Sequence, residues 1–368
     1  MHTIIITFSL TKQRIALYNA NMEKTLEKYN ITIDFDEEIE TSSPMLALVS
    51  NIVCMFECPY FDSISKEFSG KTIAIRDDKK ITCQAHPFGL IHITTGFMEE
   101  LWCNCYFDYS LCMQVPLNNP EIPGELWASR SVKWTQDMVA CEQQLKSIYK
   151  KCEDRTWHVD LPKPISNYNL KKANARTRDY VTEVFLWELL VCLLHEIKHI
   201  SISDKTSLYK EEEEKACDMH AVKLLMKLRI EDNRLKYHFF KKRMLAIVSL
   251  AGMFISNAVY SDGKDDNHPH ALSRLDSFIS SVSKIFSCKN DLEYDALHER
   301  YDIRPVIQYA AHIMYWRLQY FALNLAEGSI KTNGINILNK VYNNPFELYI
   351  SVRSYLYEFC ESRWKNPQ

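Results

Sequence analysis

The sequence predicts an α+β fold, a small antiparallel sheet followed by a mostly helical body. Three observations predict it. Apolar and polar residues alternate with period two between Lys71 and Thr95, apolar residues recur at helical spacing over most of the chain after Gly96, and only eight glycines interrupt 368 residues.

The first seventy residues are mixed, with helical stretches over Asn19 to Tyr29 and Ser43 to Phe56, and they carry no motif. From Lys71, TIAIR alternates, Asp77 and Asp78 with two lysines make a turn, ITCQA alternates again, and LIHITT follows Pro87 and Gly89. Gly96 to Phe107 returns to helical spacing. Val115 to Gly124 holds three prolines and two asparagines, which marks a loop and the internal boundary. A polar helix spans Val132 to Lys151, and an irregular stretch runs through Asn174. Helices follow over Asp179 to Ile200, Ser207 to Arg229, Leu235 to Tyr260, Ala271 to Phe286, Pro305 to Ala326 and Pro345 to Ser362. The expected organisation is an N-terminal mixed region with the sheet (1–115), a helical core (116–288) and a C-terminal helical region (289–368).

With 46% hydrophobic residues the chain can bury a large core and is not disordered. The 44 basic and 47 acidic residues nearly cancel, so the broad basic footprint of a nucleic-acid binder is missing and no nucleic-acid partner is expected. Twelve cysteines are scattered through a chain whose start, MHTIIITFSLTKQR, has no basic n-region, which predicts a reduced, cytoplasmic protein with mostly free thiols. Met244 to Tyr260 approaches the length of a membrane span, yet Ser249, Gly252, Ser256 and Asn257 interrupt it. A helix apolar on all sides also suits the centre of a large soluble protein, and the buried helix is the preferred reading.

Residues 193 to 200 read LLHEIKHI after an apolar run that buries their helix. His195 and His199 stand four apart, project from one face and can converge on one ion. Glu196 lies beside them, where a carboxylate can act as general base on a water that zinc has made acidic. Alone, HExxH is also compatible with the satisfied polar face of a helical bundle. A catalytic zinc needs three protein ligands and one open position, and the next helix offers EEEEKACDMHA at 211 to 221. Glu214 and Asp218 share a face, so Glu214 can complete the metal shell while Asp218 reaches the outer N–H of a ligand histidine. Glu213 is the rival third ligand, because the helix phase is not fixed by sequence; His220 is a weaker rival. Glu211 and Glu212 suit the first turn of a solvated helix. A third histidine six after His199 is excluded, since that residue is Lys205.

HEIKH at 195 to 199, EKACDMHA at 214 to 221 and HPHALSR at 268 to 274 resemble, in order, the HExxH, ExxxD and HPxxxxR elements of gluzincin zinc metallopeptidases, in the pattern of HtpX-type and CAAX-prenyl endopeptidases. The resemblance covers roughly residues 71 to 280, with IHITTGFMEEL similar to the edge strand and helix ahead of the zinc helix. It implies a zincin-like body, a Zn2+ cofactor, a protein or peptide substrate laid along the sheet edge, His268 beside the site stabilising the oxyanion, and Arg274 supporting the ligands. His268 could equally be a loop histidine ahead of the helix at Ala271. The sequence departs from that pattern in having Cys217 before the aspartate, a short gap between His199 and Glu214, and no multiple membrane spans. A span at Met244 to Tyr260 would put His268 on the opposite side from the zinc, so no membrane partner is expected. Soluble relatives of comparable organisation are the Lit-like phage-exclusion peptidases and the ImmA-type regulatory peptidases. Resemblance to the Lit-like group implies a protein substrate, elongation factor Tu in the case of Lit.

Cys54, Cys58, Cys83, Cys103, Cys105 and Cys112 form a loose cysteine-rich region without paired CxxC knuckles and are read as buried thiols. His86 is read as a turn histidine, and Tyr260 as a core tyrosine rather than an oxyanion donor. The expected function is zinc-dependent endopeptidase. The alternatives are a non-catalytic interaction or sensor protein with a structural or vestigial metal site, and a metal-dependent hydrolase of a small molecule.

Overall fold

The computed structural model describes residues 27–35, 44–56, 59–113, 134–151, 156–164, 177–203, 210–228, 233–261, 271–287, 317, 326, 328–340 and 345–365. The expected loop at Val115 to Gly124 and most of the expected helices at Asn19 to Tyr29 and Pro305 to Ala326 lie outside them.

Four strands form one sheet: β1 (Thr32–Phe35), β2 (Thr72–Arg76), β3 (Cys83–His86) and β4 (Leu90–Thr94), in the order β1-β2-β4-β3. The α+β class holds, but the sheet is mixed rather than antiparallel. Only β3 and β4 pair antiparallel; β2 runs parallel to both β1 and β4. Alternation reveals which face a residue takes, not which strand it meets. Here Ile73, Ala74 and Ile75 are consecutively buried, the mark of an interior strand covered on both faces. β1 itself is a strand that the sequence reading did not single out.

The segment from Asp77 to Thr82 is therefore not a hairpin turn. It carries the chain outward so that β4 can enter between β2 and β3, and the junction of β4 with the following helix holds it there. Thr94 Oγ1 donates to Lys80 O at 2.6 Å and accepts from Thr82 N at 3.0 Å, Thr95 Oγ1 donates to Asp77 Oδ1 at 3.0 Å, and Gly96 N donates to Asp78 O at 2.9 Å. A Cβ on Gly96 would collide with the Lys79 and Lys80 carbonyls, which explains a glycine in the first turn of a helix. Consequently β3, not the LIHIT strand, is the sheet edge that faces the helical body.

That body contains α1 (Pro44–Phe56), a single turn α2 (Ser65–Phe68), α3 (Thr95–Met113), α4 (Gln136–Tyr149), α5 (Thr177–Ser203), α6 (Lys210–Lys227), α7 (Asn233–Tyr260), α8 (Ala271–Ser287), α9 (Gly328–Asn339) and α10 (Pro345–Lys365). α9 was not expected, because its two glycines and three asparagines mask its periodicity. α5 is the central rod. Its side chains from Val181 through Val191 are buried without interruption, and it packs against α3, α6, α7 and the edge strand β3. α4 begins at Thr135, whose side chain caps Met138 N, as Ser and Thr do at helix starts.

No helix among the described residues is long and apolar enough to cross a membrane. The small and polar residues of α7 instead accommodate a buried polar stripe on α3. Asp108 and Asn104 meet Arg317, whose Nε and Nη2 each lie 2.8 Å from the Asp108 carboxylate and whose Nη2 is 3.0 Å from Asn104 Oδ1. Ser256 donates to Asn104 Oδ1 at 2.8 Å and accepts from Arg317 Nη1. Burial lifts the Asp108 pKa to about 6, against the opposing pull of the Arg317 guanidinium. α8 is tied to α10 through Asp276, which accepts from Arg353 at 2.5 and 2.6 Å and from Tyr357 at 2.9 Å.

Two outcomes test this core. Gly252→Ala adds a Cβ that falls inside contact with the Asp108 carboxylate and 2.8 Å from Arg317 Nη2. Helix propensity alone would favour alanine by about 1 kcal/mol, but overpacking costs about 1–3 kcal/mol, so the urea midpoint should fall. Arg317→Met leaves Asp108 buried without its cation and should cost about 3–5 kcal/mol near pH 7. Without the guanidinium the Asp108 pKa rises further, the native state binds a proton that the unfolded chain has released, and the deficit should shrink as pH falls from 7 to 5. Urea titrations at both values measure it.

Candidate metal centre

The site forms where α5 and α6 run side by side. His195 and His199, one turn apart on α5, turn their Nε2 atoms toward each other at 3.0 Å. From α6, Glu214 brings Oε2 to 3.3 Å from His195 Nε2 and Oε1 to 3.5 Å from His199 Nε2. Behind the rings, Asp218 Oδ1 lies 2.8 Å from His195 Nδ1 and Glu213 Oε1 lies 2.8 Å from His199 Nδ1. A carboxylate at Nδ1 requires the proton there, so each Nε2 presents its lone pair inward.

Three acceptors thus converge on one small volume. Such a cluster is repulsive unless a cation or a proton sits among them. His195, Glu214 and Asp218 are buried. Burial opposes charge on His195, but Asp218 and Glu214 outweigh it and hold its pKa up to about 10. His199 is raised as well, against burial, chiefly through Glu214. Burial alone would raise Glu214, yet the two imidazoles and Arg274 pull its carboxyl well below the usual range. Without a metal, the site recruits protons to supply the positive charge it is built around.

Glu214 Oε2 is buried with no hydrogen-bond partner, although Arg274 Nη2 approaches to 3.1 Å. An orphaned carboxylate oxygen beside two inward lone pairs fits a zinc ion, whose preferred donors are these. Arg274, on α8, also lies 3.8 Å from Asp218 Oδ1 and rests over the Phe254 ring at 4.9 Å. Its cation offsets part of the acidic cage without competing for the inward-facing nitrogens.

Glu196 occupies the next position on α5 and its Oε2 accepts from the backbone N–H of Ala85 at 2.7 Å. That N–H belongs to β3 and points away from its partner strand. The glutamate is thereby placed between the histidines and the sheet edge. Cys217, buried on α6, completes a group in which its Sγ and the ring nitrogens of His195 and His199 all lie within 4.8 Å of one another. Burial and the surrounding carboxylates push its thiol pKa up.

The structure brings His195, Glu196, His199, Glu214, Asp218 and Arg274 together. His268 lies outside the described residues. Glu213 meets the outer nitrogen of His199 rather than the centre, and His220 faces Glu67 at 3.7 Å, away from it. Tyr260 is committed to Glu142 at 2.8 Å, and His86 stacks loosely near His92 at 6.0 Å. Cys83, Cys103 and Cys105 are free thiols, the last two buried; Cys58 and the side chains of Cys54 and Cys112 are outside the described residues. Two features escaped the sequence reading. The Ala85 N–H carries no sequence signal, whereas Cys217 did: it sits three after Glu214 and so shares its helical face.

Asp218→Asn weakens the acceptor that fixes the His195 tautomer and should lower zinc affinity by about 10–100-fold, read by competition with a chromophoric chelator, while far-ultraviolet circular dichroism stays unchanged.

The model of the Peptidase U49 family matches residues 91–287, just over half of the chain, which takes in all but the first residue of β4, both helices that carry the histidines and acidic residues, and Arg274. No curated protein and no solved structure matches the chain. With its histidine and carboxylate cluster lying inside the matched span, the chain belongs to the Peptidase U49 family, a family of peptidases.

Proposed function

We propose that the protein is a zinc-dependent endopeptidase of the gluzincin type, with His195, His199 and Glu214 holding the metal and Glu196 as general base. The observation that carries this reading is the convergence of two inward Nε2 atoms, 3.0 Å apart, with the Glu214 carboxylate at 3.3 and 3.5 Å. A zinc ion held there would supply Lewis acidity, making a water nucleophilic near neutral pH and polarising the scissile carbonyl.

The chain's own residues do the rest. Glu196 accepts a proton from the attacking water and delivers it to the departing amine, which is the work of a carboxylate close to the reacting atoms. The Ala85 N–H holds one of its oxygens, which restricts the rotamer and presents the other. Asp218 and Glu213 keep the two imidazoles in the tautomer that binds metal. The outer edge of β3 runs past Glu196 and, beyond the Ala85 N–H that Glu196 takes, suits an extended peptide laid along it, so a protein or peptide is the favoured substrate. His268 as an oxyanion donor remains an expectation from resemblance. The free thiols at Cys83, Cys103, Cys105, Cys141, Cys192, Cys217 and Cys360 agree with a reducing compartment such as the cytoplasm.

A second reading, a structural metal site in a protein that does not cleave, is favoured by one observation, the nearness of Cys217 as a fourth donor. Glu196→Gln separates the two. It should retain stoichiometric zinc while lowering cleavage by about 10²–10⁴-fold, read by comparing N-terminal peptides of a host proteome exposed to each form. Equal cleavage by both forms would refute Glu196 as the base, and no cleavage by the zinc-loaded wild type would favour the structural reading.

A further inference from the structure

The three-ligand reading leaves Cys217 without a role. Its Sγ nevertheless lies with the ring nitrogens of His195 and His199 inside a group whose atoms are all within 4.8 Å of one another. It is fully buried on α6, one residue before Asp218 and three after Glu214. Glu214 Oε2, 3.3 Å from the Nε2 of the same His195, is a buried acceptor with no hydrogen-bond partner. Among the described residues Cys217 is the cysteine that groups with both histidines, and thiolate is among the preferred protein ligands of zinc.

Ligand count decides what this means. Three protein donors leave a zinc site open for water and substrate, and four close it. Two histidines, Glu214 and Cys217 make four. We infer that Cys217 is a fourth, displaceable zinc ligand that holds the resting enzyme in a closed, latent form. The inference rests on the zinc-peptidase reading above. Ligation exchanges the S–H bond for a sulfur–metal bond and releases the proton to solvent; reprotonation of the sulfur reverses it, and no oxidant or reductant takes part. Glu214, three residues earlier on the same helix, reaches both Nε2 atoms with a carboxylate, so the sulfur is the donor that gives way when water or substrate takes the position.

The test replaces zinc by cobalt(II) in the full-length protein and records the near-ultraviolet spectrum, where sulfur-to-cobalt charge transfer is intense and nitrogen or oxygen ligation gives none. Wild type should show the band at one cobalt per chain. Cys217→Ser should lose it while keeping the cobalt, and Cys192→Ser should keep both. Acetohydroxamic acid, which needs an open position, should bind Cys217→Ser roughly ten-fold more tightly than wild type, as expected if about a tenth of the resting population is open. A wild-type protein that binds one cobalt without the band overturns the inference and leaves the zinc-peptidase reading intact. A band that survives Cys217→Ser, or equal hydroxamate affinity in the two proteins, also overturns it. A wild-type protein that binds no cobalt overturns both. Where the serine variant fails to fold, a wild-type protein that binds cobalt without the band still overturns the inference, and Cys217→Ala takes the place of the serine variant in the other comparisons.

Discussion

The structure depends on one interaction, the acid–imidazole pairing between α5 and α6. Asp218 and Glu213 each hold an Nδ1 at 2.8 Å, and those two bonds turn both rings so that their free nitrogens face a common point. The pairing is electrostatically unbalanced by itself, since four acidic residues surround two imidazoles. Arg274 supplies compensating charge from α8, and its place is secured by Phe254 on α7 and by the clamp of Arg353 and Tyr357 on the neighbouring Asp276. The C-terminal helix α10 is thereby linked to the centre through a chain of contacts.

A second polar system sits deeper. Asp108 and Asn104 lie a turn apart on α3 and meet Ser256, Arg317 and the space left by Gly252. Burying an ion pair gives little net stability, because desolvation offsets attraction, but it penalises every register in which one partner is left alone. The same five residues explain why α7 is apolar enough to suggest a membrane span and yet interrupted at regular intervals. Small residues leave room there for a polar stripe arriving from another helix.

The sheet contributes position rather than chemistry. Moving β3 to the outside brings the Ala85 N–H to within 2.7 Å of Glu196. That bond both steadies the carboxylate and marks the strand edge nearest the histidines. Were the sheet a simple meander in sequence order, β4 would occupy that edge.

His195, Glu196, His199, Glu214 and Asp218 were legible in the sequence because each belongs to a helix, where spacings of three and four residues translate directly into a shared face, whereas Arg274 was suggested only by the resemblance of HPHALSR to a family element. Most helical segments were legible for the same reason, α9 excepted because its glycines and asparagines hide its period, and β2, β3 and β4 because alternation is local, while the four residues of β1 were too few to show it. What the sequence could not decide was anything set by the approach of two elements. Helix phase is determined by packing, so it was only once α6 lay against α5 that Glu214 faced the two Nε2 atoms and Glu213 the outer nitrogen of His199. Strand order is determined by long-range pairing, so a mixed sheet with β3 at its edge was invisible to a period-two pattern. Cys217 stood between these cases: its face could be read from its spacing, but only the tertiary structure brought its sulfur beside the two histidines.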